Sequence, residues 1–213
     1  MDENIPDKNL FMMCSQLNRN SLSELSKEYY IRNCRENELD IWKAMPFDQP
    51  ETAIKYYDYM TEYFNNVYGN KRKEFFNKCL FVCNKADEPI GTCFIWKVYN
   101  KINSIHWFKT LKSYEGKGIG RALLSVIMKD IPENEYPIYL HTQPSSYRAI
   151  KLYSDFGFKL ISDPIIGNRN NDLDECLPIL KKYMPKEYFK KLKITNASKQ
   201  FIDIVCKYKN NEF

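Results

Sequence analysis

Three of the seven glycines in this 213-residue chain fall within five positions, in the run Ser113-Tyr114-Glu115-Gly116-Lys117-Gly118-Ile119-Gly120-Arg121. An apolar run precedes the cluster, and Ile119, Ala122, Leu123, Val126 and Ile127 recur after it at helical spacing, so the segment reads as a tight turn from strand into helix. Glycine lets main-chain N–H groups crowd one point without Cβ interference, and the positive end of the following helix favours an anion there. The run lacks the Gly-Lys-Ser/Thr ending of a nucleoside-triphosphate loop. A phosphate or pyrophosphate is the expected occupant, and the turn by itself does not separate a nucleotide from a coenzyme.

Composition narrows the classes. With 44% hydrophobic residues the chain can bury one core and carry a tail. The net charge of +5 is not spread over the molecule: from Leu180 onward nine lysines stand against Glu187, Asp203 and Glu212, so this stretch carries +6 and the rest about −1. A basic footprint confined to one end does not predict a nucleic-acid partner. The first ten residues lack an apolar signal segment and no apolar run approaches membrane length, so a cytoplasmic protein without a membrane partner is expected. The cysteines (Cys14, Cys34, Cys79, Cys83, Cys93, Cys176 and Cys206) are odd in number and never spaced C-x-x-C, which fits a reducing compartment and predicts no metal.

The pattern along the chain predicts a strand over Phe11–Leu17 and helices through much of 21–45, with Ser21 and Glu24 as a capping box. Asp48 and Glu51 suggest a second box, opening one helix along Ile54, Tyr57, Met60, Phe64 and Val67 to Gly69. Strands over 78–83, 90–99 and 104–111, separated by short polar breaks, read as a meander. The glycine turn and its helix follow, then a strand at Pro137–His141, a helix from Pro144 to Phe156 closed by Gly157, and a strand from Phe158. Phe201, Ile204, Val205 and Tyr208 mark a last amphipathic helix.

This order, ending in Ala149-Ile150-Lys151-Leu152-Tyr153-Ser154-Asp155-Phe156-Gly157-Phe158, resembles the GNAT N-acetyltransferase superfamily. The turn resembles that family's acetyl-CoA motif, Gln/Arg-x-x-Gly-x-Gly/Ala, with Gly118 and Gly120 at the small positions and Glu115 departing from Gln/Arg. The second block resembles Asn-x-x-Ala…Leu-Tyr-x-x-x-Gly-Phe, with Ser146 standing at the Asn. The resemblance implies an α/β (α+β) fold, a mixed and mostly antiparallel sheet flanked by helices with a helical C-terminal extension. It implies a transferase domain over 1–163 and a basic extension over 164–213 packed on it.

The implied activity is direct transfer of acetyl from acetyl-CoA to an amine in a ternary complex, with no metal. The implied cofactor contacts are Phe108, Lys109 and Thr110 for the thioester arm, and Glu115, Gly116, Lys117, Gly118, Ile119, Gly120 and Arg121, with Ser146 and Ala149, for the rest. Tyr153 is implied as general acid, its ordinary pKa of about 10 lying above a thiol's 8.5. His106 is the expected proton acceptor, on the same strand side as Phe108 and Thr110 by alternation, with an ordinary pKa of about 6.5. His141 is a second candidate for the same cleft. Glu38, Asp40, Trp42, Phe47, Asp48, Tyr56 and Tyr57 form a candidate acidic, aromatic pocket for a small-molecule or peptide amine, with caps and core aromatics as the plainer reading. A non-catalytic acyl-CoA sensor, a nucleotide-binding regulator and a homodimer stay open.

Overall fold

The computed structural model describes residues 5–208 and 212–213. Eight strands form one sheet in the order β10-β7-β1-β6-β5-β4-β3-β2, and β8 pairs separately with β9. The strands are β1 (Leu10–Cys14), β2 (Tyr30–Asn33), β3 (Leu80–Cys83), β4 (Pro89–Val98), β5 (Ile102–Thr110), β6 (Ile138–Thr142), β7 (Lys159–Ile161), β8 (Ile165–Ile166), β9 (Arg169–Asn170) and β10 (Ile194–Thr195). The helices are α1 (Leu39–Ala44), α2 (Pro50–Lys55), α3 (Tyr57–Val67), α4 (Arg72–Lys78), α5 (Ile119–Met128), α6 (Tyr147–Asp155), α7 (Leu173–Tyr183), α8 (Lys186–Phe189) and α9 (Lys199–Val205). Pairing is antiparallel at β1–β6, β1–β7, β2–β3 and β3–β4, and parallel at β5–β6 and β10–β7. The β5–β6 register covers Asn103↔Ile138 and Ser104↔Tyr139, at the N-terminal end of β5.

The chain divides into two compact units. One comprises the chain up to Ser21, Lys97–Ser104 and the chain from Ile131 on. Its core combines Phe11 and Met12 of β1, Tyr139 and Leu140 of β6, Leu160 of β7, and Phe156, Phe158 and Phe201, all buried. Tyr139 and Phe201 stack with centroids 3.9 Å apart, which seats α9 on β6. The extension after 164 is not purely helical, because β10 adds to β7: the Leu160 and Ser162 N–H groups donate to the carbonyls of Lys193 and Thr195 at 2.8 and 2.9 Å.

The other unit is Leu22–Trp96 with Ile105–Asp130. Trp42, Phe64, Tyr68, Phe75, Phe94 and Trp96 fill its centre. Here several sequence expectations need correction. Residues 22–29 are not helical, and β2 occupies 30–33. The Ser21 hydroxyl donates to the Asp155 carbonyl at 2.5 Å, within the first unit, at the C-terminal end of α6 rather than at the start of a helix of its own. Asp48 does not cap α2, which starts with Pro50 after Gln49; its carboxylate accepts from Lys109 Nζ at 2.6 Å. The helix expected over 48–69 breaks at Tyr56 (φ −101°), so Ile54 ends on the surface while Met60 and Phe64 of α3 reach the core. α4, which buries Phe75 and Phe76, has no counterpart in the sequence reading.

Gly157 closes α6 at φ +101°, where a Cβ would lie 2.6 Å from the Gln16 carbonyl oxygen. Backbone contact and backbone conformation both demand glycine there. Gly157→Ala is expected to lower unfolding free energy by about 2–3 kcal/mol, read as a shift of the denaturant midpoint at constant m-value. An unchanged midpoint would mean that the β1-to-Asn18 segment yields freely.

Candidate functional site

β5 leads into a single 3-10 turn at Lys112–Tyr114, held to β4 by the Leu111 N–H donating to the Ile90 carbonyl at 2.9 Å. Gly116 and Gly118 both take φ +78°, a left-handed conformation that side chains disfavour. Gly118 is the N-cap of α5, and its carbonyl accepts the first helical bond, from Ala122 N–H at 3.0 Å. No side chain caps this helix, so the amides of Ile119 and Gly120 have no acceptor within it. A Cβ on Gly116 or Gly118 would meet nothing within 4 Å, so open space adjoins both. The burial of Ile119, Ala122, Leu123, Leu124 and Met128 fixes the helix against the unit's core. Glu115 and Lys117 are exposed, and Lys117 Nζ lies 4.8 Å from the Tyr114 ring centroid.

Upstream, β5 is irregular. Trp107 takes φ +51° in mid-strand, which interrupts the alternation that put His106 on one side with Phe108 and Thr110. His106 is buried, with Nδ1 2.6 Å from the Tyr68 hydroxyl. Burial lowers its pKa from the ordinary value of about 6.5 assumed from sequence to about 3, so it is a neutral imidazole at physiological pH and a far weaker proton acceptor than expected. Tyr68 is itself fully buried, which pushes its phenol well above the usual range, and the side chains of Tyr63 and Trp107 also hydrogen-bond to it. Beyond this cluster Lys109 pairs with Asp48, both about four-fifths buried. A Cβ on Gly91 of β4 would stand 2.8 Å from the Lys109 carbonyl oxygen, so glycine there permits the close approach of β4 to β5. Next to it, Thr110 Oγ1 is buried without a hydrogen-bond partner among the described residues.

The first unit carries the second block. Ser146 is the N-cap of α6 without a side-chain bond, and Ala149 is half-buried. Tyr153 is buried, its ring 5.7 Å from Phe158 and its carbonyl accepting the Phe158 N–H at 3.0 Å. His141 packs on Phe11, shares a 2.9 Å bond with Asn9 Oδ1, and is lowered to about 3 by burial and the Arg169 charge.

The acidic, aromatic pocket expected in the N-terminal half does not assemble. Glu38 is buried in a bidentate pair with Arg32 (both contacts 2.7 Å), which holds its carboxyl below the ordinary value. Trp42 is wholly in the core, and Asp40 accepts from Tyr57 and Lys43. Sequence reasoning missed Tyr68, Tyr63 and Trp107. Tyr68 follows Phe64 by one helical turn, a signal that reads as core packing and says nothing of its bond to β5. Among the described residues, no three His, Cys, Asp or Glu side chains gather to hold a metal, and no helix is long and apolar enough to cross a membrane.

The sequence profile of the Acetyltransferase (GNAT) family matches residues 38–158, more than half of the chain. No curated protein matches. Among solved structures, a Drosophila protein superposes with a TM-score of 0.51 at 17% identity over 73% of this chain and 48% of its own. A tandem GNAT protein from the clavulanic acid biosynthesis pathway gives 0.50 at 9% identity over 73% of this chain and 50% of its own. A GNAT-family protein from Novosphingobium aromaticivorans gives 0.45 at 15% identity, covering 73% and 60%. The chain thus spans about half the length of the first two, and their likeness extends to the fold.

The neutral burial of His106 has a thermodynamic consequence. An unfolded chain protonates this imidazole near pH 6.5 and the folded one near 3. Stability is therefore intact above about pH 6.5 and falls as pH drops toward 3, by about 1.4 kcal/mol per unit for one such group. His141 acts in the same direction. The thermal midpoint is expected to be flat above pH 7 and to decline between 6.5 and 5, with His106→Asn reducing the slope. An identical slope in that variant would show that His106 is solvated.

Proposed function

The chain belongs to the GNAT acetyltransferase family, and on that premise we propose that it moves an acetyl group from acetyl-CoA to an amine directly, with both substrates bound at once. The observation that carries the reading is the uncapped N-terminus of α5 behind two left-handed glycines with open space beside them. The donor set fits a pyrophosphate: main-chain N–H groups and a helix dipole, with Lys117 and Arg121 adding positive charge. Glu115 supplies an acid where the family's motif has a cation or amide, so its contribution is its main chain.

Residues Glu115 to Arg121 would hold the pyrophosphate, and Phe108, Lys109 and Thr110 the thioester arm, with Ser146 and Ala149 contributing from α6. β5 supports this assignment by running on past its short register with β6. When bound, acetyl-CoA supplies an acyl group activated by a thiol leaving group. Main-chain donors of β5, fixed by the sheet, stabilise negative charge on a carbonyl oxygen without reorganisation. Tyr153 gives its proton to the departing thiolate. His106 does not store a proton, since its pKa is about 3. Its neutral imidazole, bonded to Tyr68, positions β5, and the proton that the amine sheds on attack passes to water. Six of the seven cysteines are buried free thiols, which supports a reducing, cytoplasmic setting.

Gly118→Asp is expected to weaken CoA binding by about 100-fold or more, through a carboxylate placed at the anion site. Calorimetry on the folded variant measures it, and unchanged affinity removes the turn from the site. Tyr153→Phe is expected to lower kcat by about 100-fold while CoA affinity stays within about twofold. Tight acetyl-CoA binding by the unaltered protein without turnover of any amine would favour a non-catalytic acyl-CoA sensor.

A further inference from the structure

We infer that the lysine-rich stretch running from the end of α7 through α8 and β10 to the start of α9 is a docking surface for an anionic lipid bilayer. From Lys181 to Lys199 seven lysines stand against Glu187, with no arginine and no aspartate. All seven are exposed, and among the described residues none of them forms an ion pair. Lys8, Lys78, Lys97, Lys109 and Lys151, by contrast, each hold a carboxylate at 2.6–2.9 Å. Local structure accounts for two of the seven, since Lys181 and Lys182 lie in the last turn of α7, where the helix dipole favours a cation. Lys186 and Lys199 open α8 and α9, where the same dipole favours an acid. Lys190, Lys191 and Lys193 fall between α8 and β10. The parallel register that sets Ile194 beside Leu160 also sets Lys193 beside Lys159, like charges on neighbouring strands. The fold neither neutralises nor requires this field, and an anionic surface laid against it relieves the repulsion.

The kind of cation and what lies between the lysines select the partner. Arginine reads fixed phosphates through its planar fork, in nucleic acids and phosphopeptides alike, whereas lysine is a point charge on a flexible stem that suits phosphates free to move sideways. The stretch holds lysine alone. Apolar residues interrupt it: Ile194 is 50% exposed, and Phe189 and Leu192 are half-buried among Lys190, Lys191 and Lys193. Two half-buried tyrosines add amphipathic rings, Tyr183 with Lys182 Nζ 5.1 Å from its centroid and Tyr188 with Lys191 Nζ at 5.7 Å. A soluble polyanion gains nothing from an exposed isoleucine. A bilayer interface takes up aliphatic and aromatic side chains below its headgroups while lysine stems reach back to the phosphates. Adsorption of this kind needs no spanning segment, so the expectation of a protein without a membrane partner, drawn from the want of such a segment, does not bear on it. It is also independent of the reading of the chain as a transferase.

The test is co-sedimentation of the full-length protein with vesicles of phosphatidylcholine, alone or mixed with phosphatidylserine, at physiological ionic strength. Binding is expected on the mixed vesicles only, and it is expected to fall as salt is raised. Each lysine near such a surface multiplies the partition about fivefold, so replacing three together (Lys190→Gln, Lys191→Gln and Lys193→Gln) is expected to lower it by about 100-fold. The same loss of charge from three exposed lysines of the other unit (Lys27→Gln, Lys73→Gln and Lys85→Gln) is expected to leave the partition within about threefold. Ile194→Ser is expected to weaken vesicle binding by about fivefold. Equal binding to the two kinds of vesicle, binding to neither, or a partition that the first triple variant does not change overturns the inference. Tighter binding of a single-stranded RNA or of polyglutamate than of the mixed vesicles overturns it as well and assigns the face to that class of partner.

Discussion

The Tyr68 hydroxyl sits among Trp42, Phe75, Phe94 and Trp96 with no access to water. An unpartnered hydroxyl in such a place costs roughly 1–3 kcal/mol, so what it bonds to is fixed by the fold around it. It meets His106 at 2.6 Å, with Tyr63 and Trp107 as further partners. One atom from the turn after α3 thereby gathers two consecutive residues of β5 and one of α3. Such a network also carries a single tautomer at a time, which links the imidazole's proton to the phenol's.

That gathering accounts for the irregular course of β5. A left-handed tryptophan in a strand costs on the order of 1–3 kcal/mol and persists only where its surroundings over-determine it. Trp107 is held by its edge-on packing against Trp42 and Tyr63 as well as by Tyr68. Downstream, the Asp48–Lys109 pair and the contact of Gly91 with the Lys109 carbonyl fix the next two residues. The strand that the proposed chemistry needs most is thus restrained from α3, from the loop before α2 and from β4. Its main-chain groups are preorganised by side chains that do not themselves react.

Where local chemistry decided the structure, the residues announced it. Gly116, Gly118 and Gly157 all take the positive φ that their turns require, and α5, α6 and the strands around them stand near their expected bounds. Where long-range partners decided it, the residues misled. Ser21 and Asp48 have the chemistry of caps, yet one bonds to Asp155 and the other to Lys109, 134 and 61 positions away. The acidic side chains Glu38 and Asp40 looked available for a ligand until Arg32 and Lys43 proved to occupy them. The left-handed conformation at Trp107 was invisible, because a tryptophan in an apolar run gives no sign of φ. His106 was found as a residue, but its expected part as proton acceptor took the ordinary imidazole pKa, since burial is a property of the whole unit.

The short pairing of β10 with β7 has a bearing on solubility. β7 would otherwise end the sheet as an open edge, a template on which another chain's strand can add. Two residues from the lysine-rich extension cover that edge, with Lys190, Lys191 and Lys193 immediately before them. Positive charge beside a sheet edge repels a second copy of the same edge. The basic C-terminal stretch therefore sets its charge beside the outermost strand, at the place where strand addition by another chain would begin.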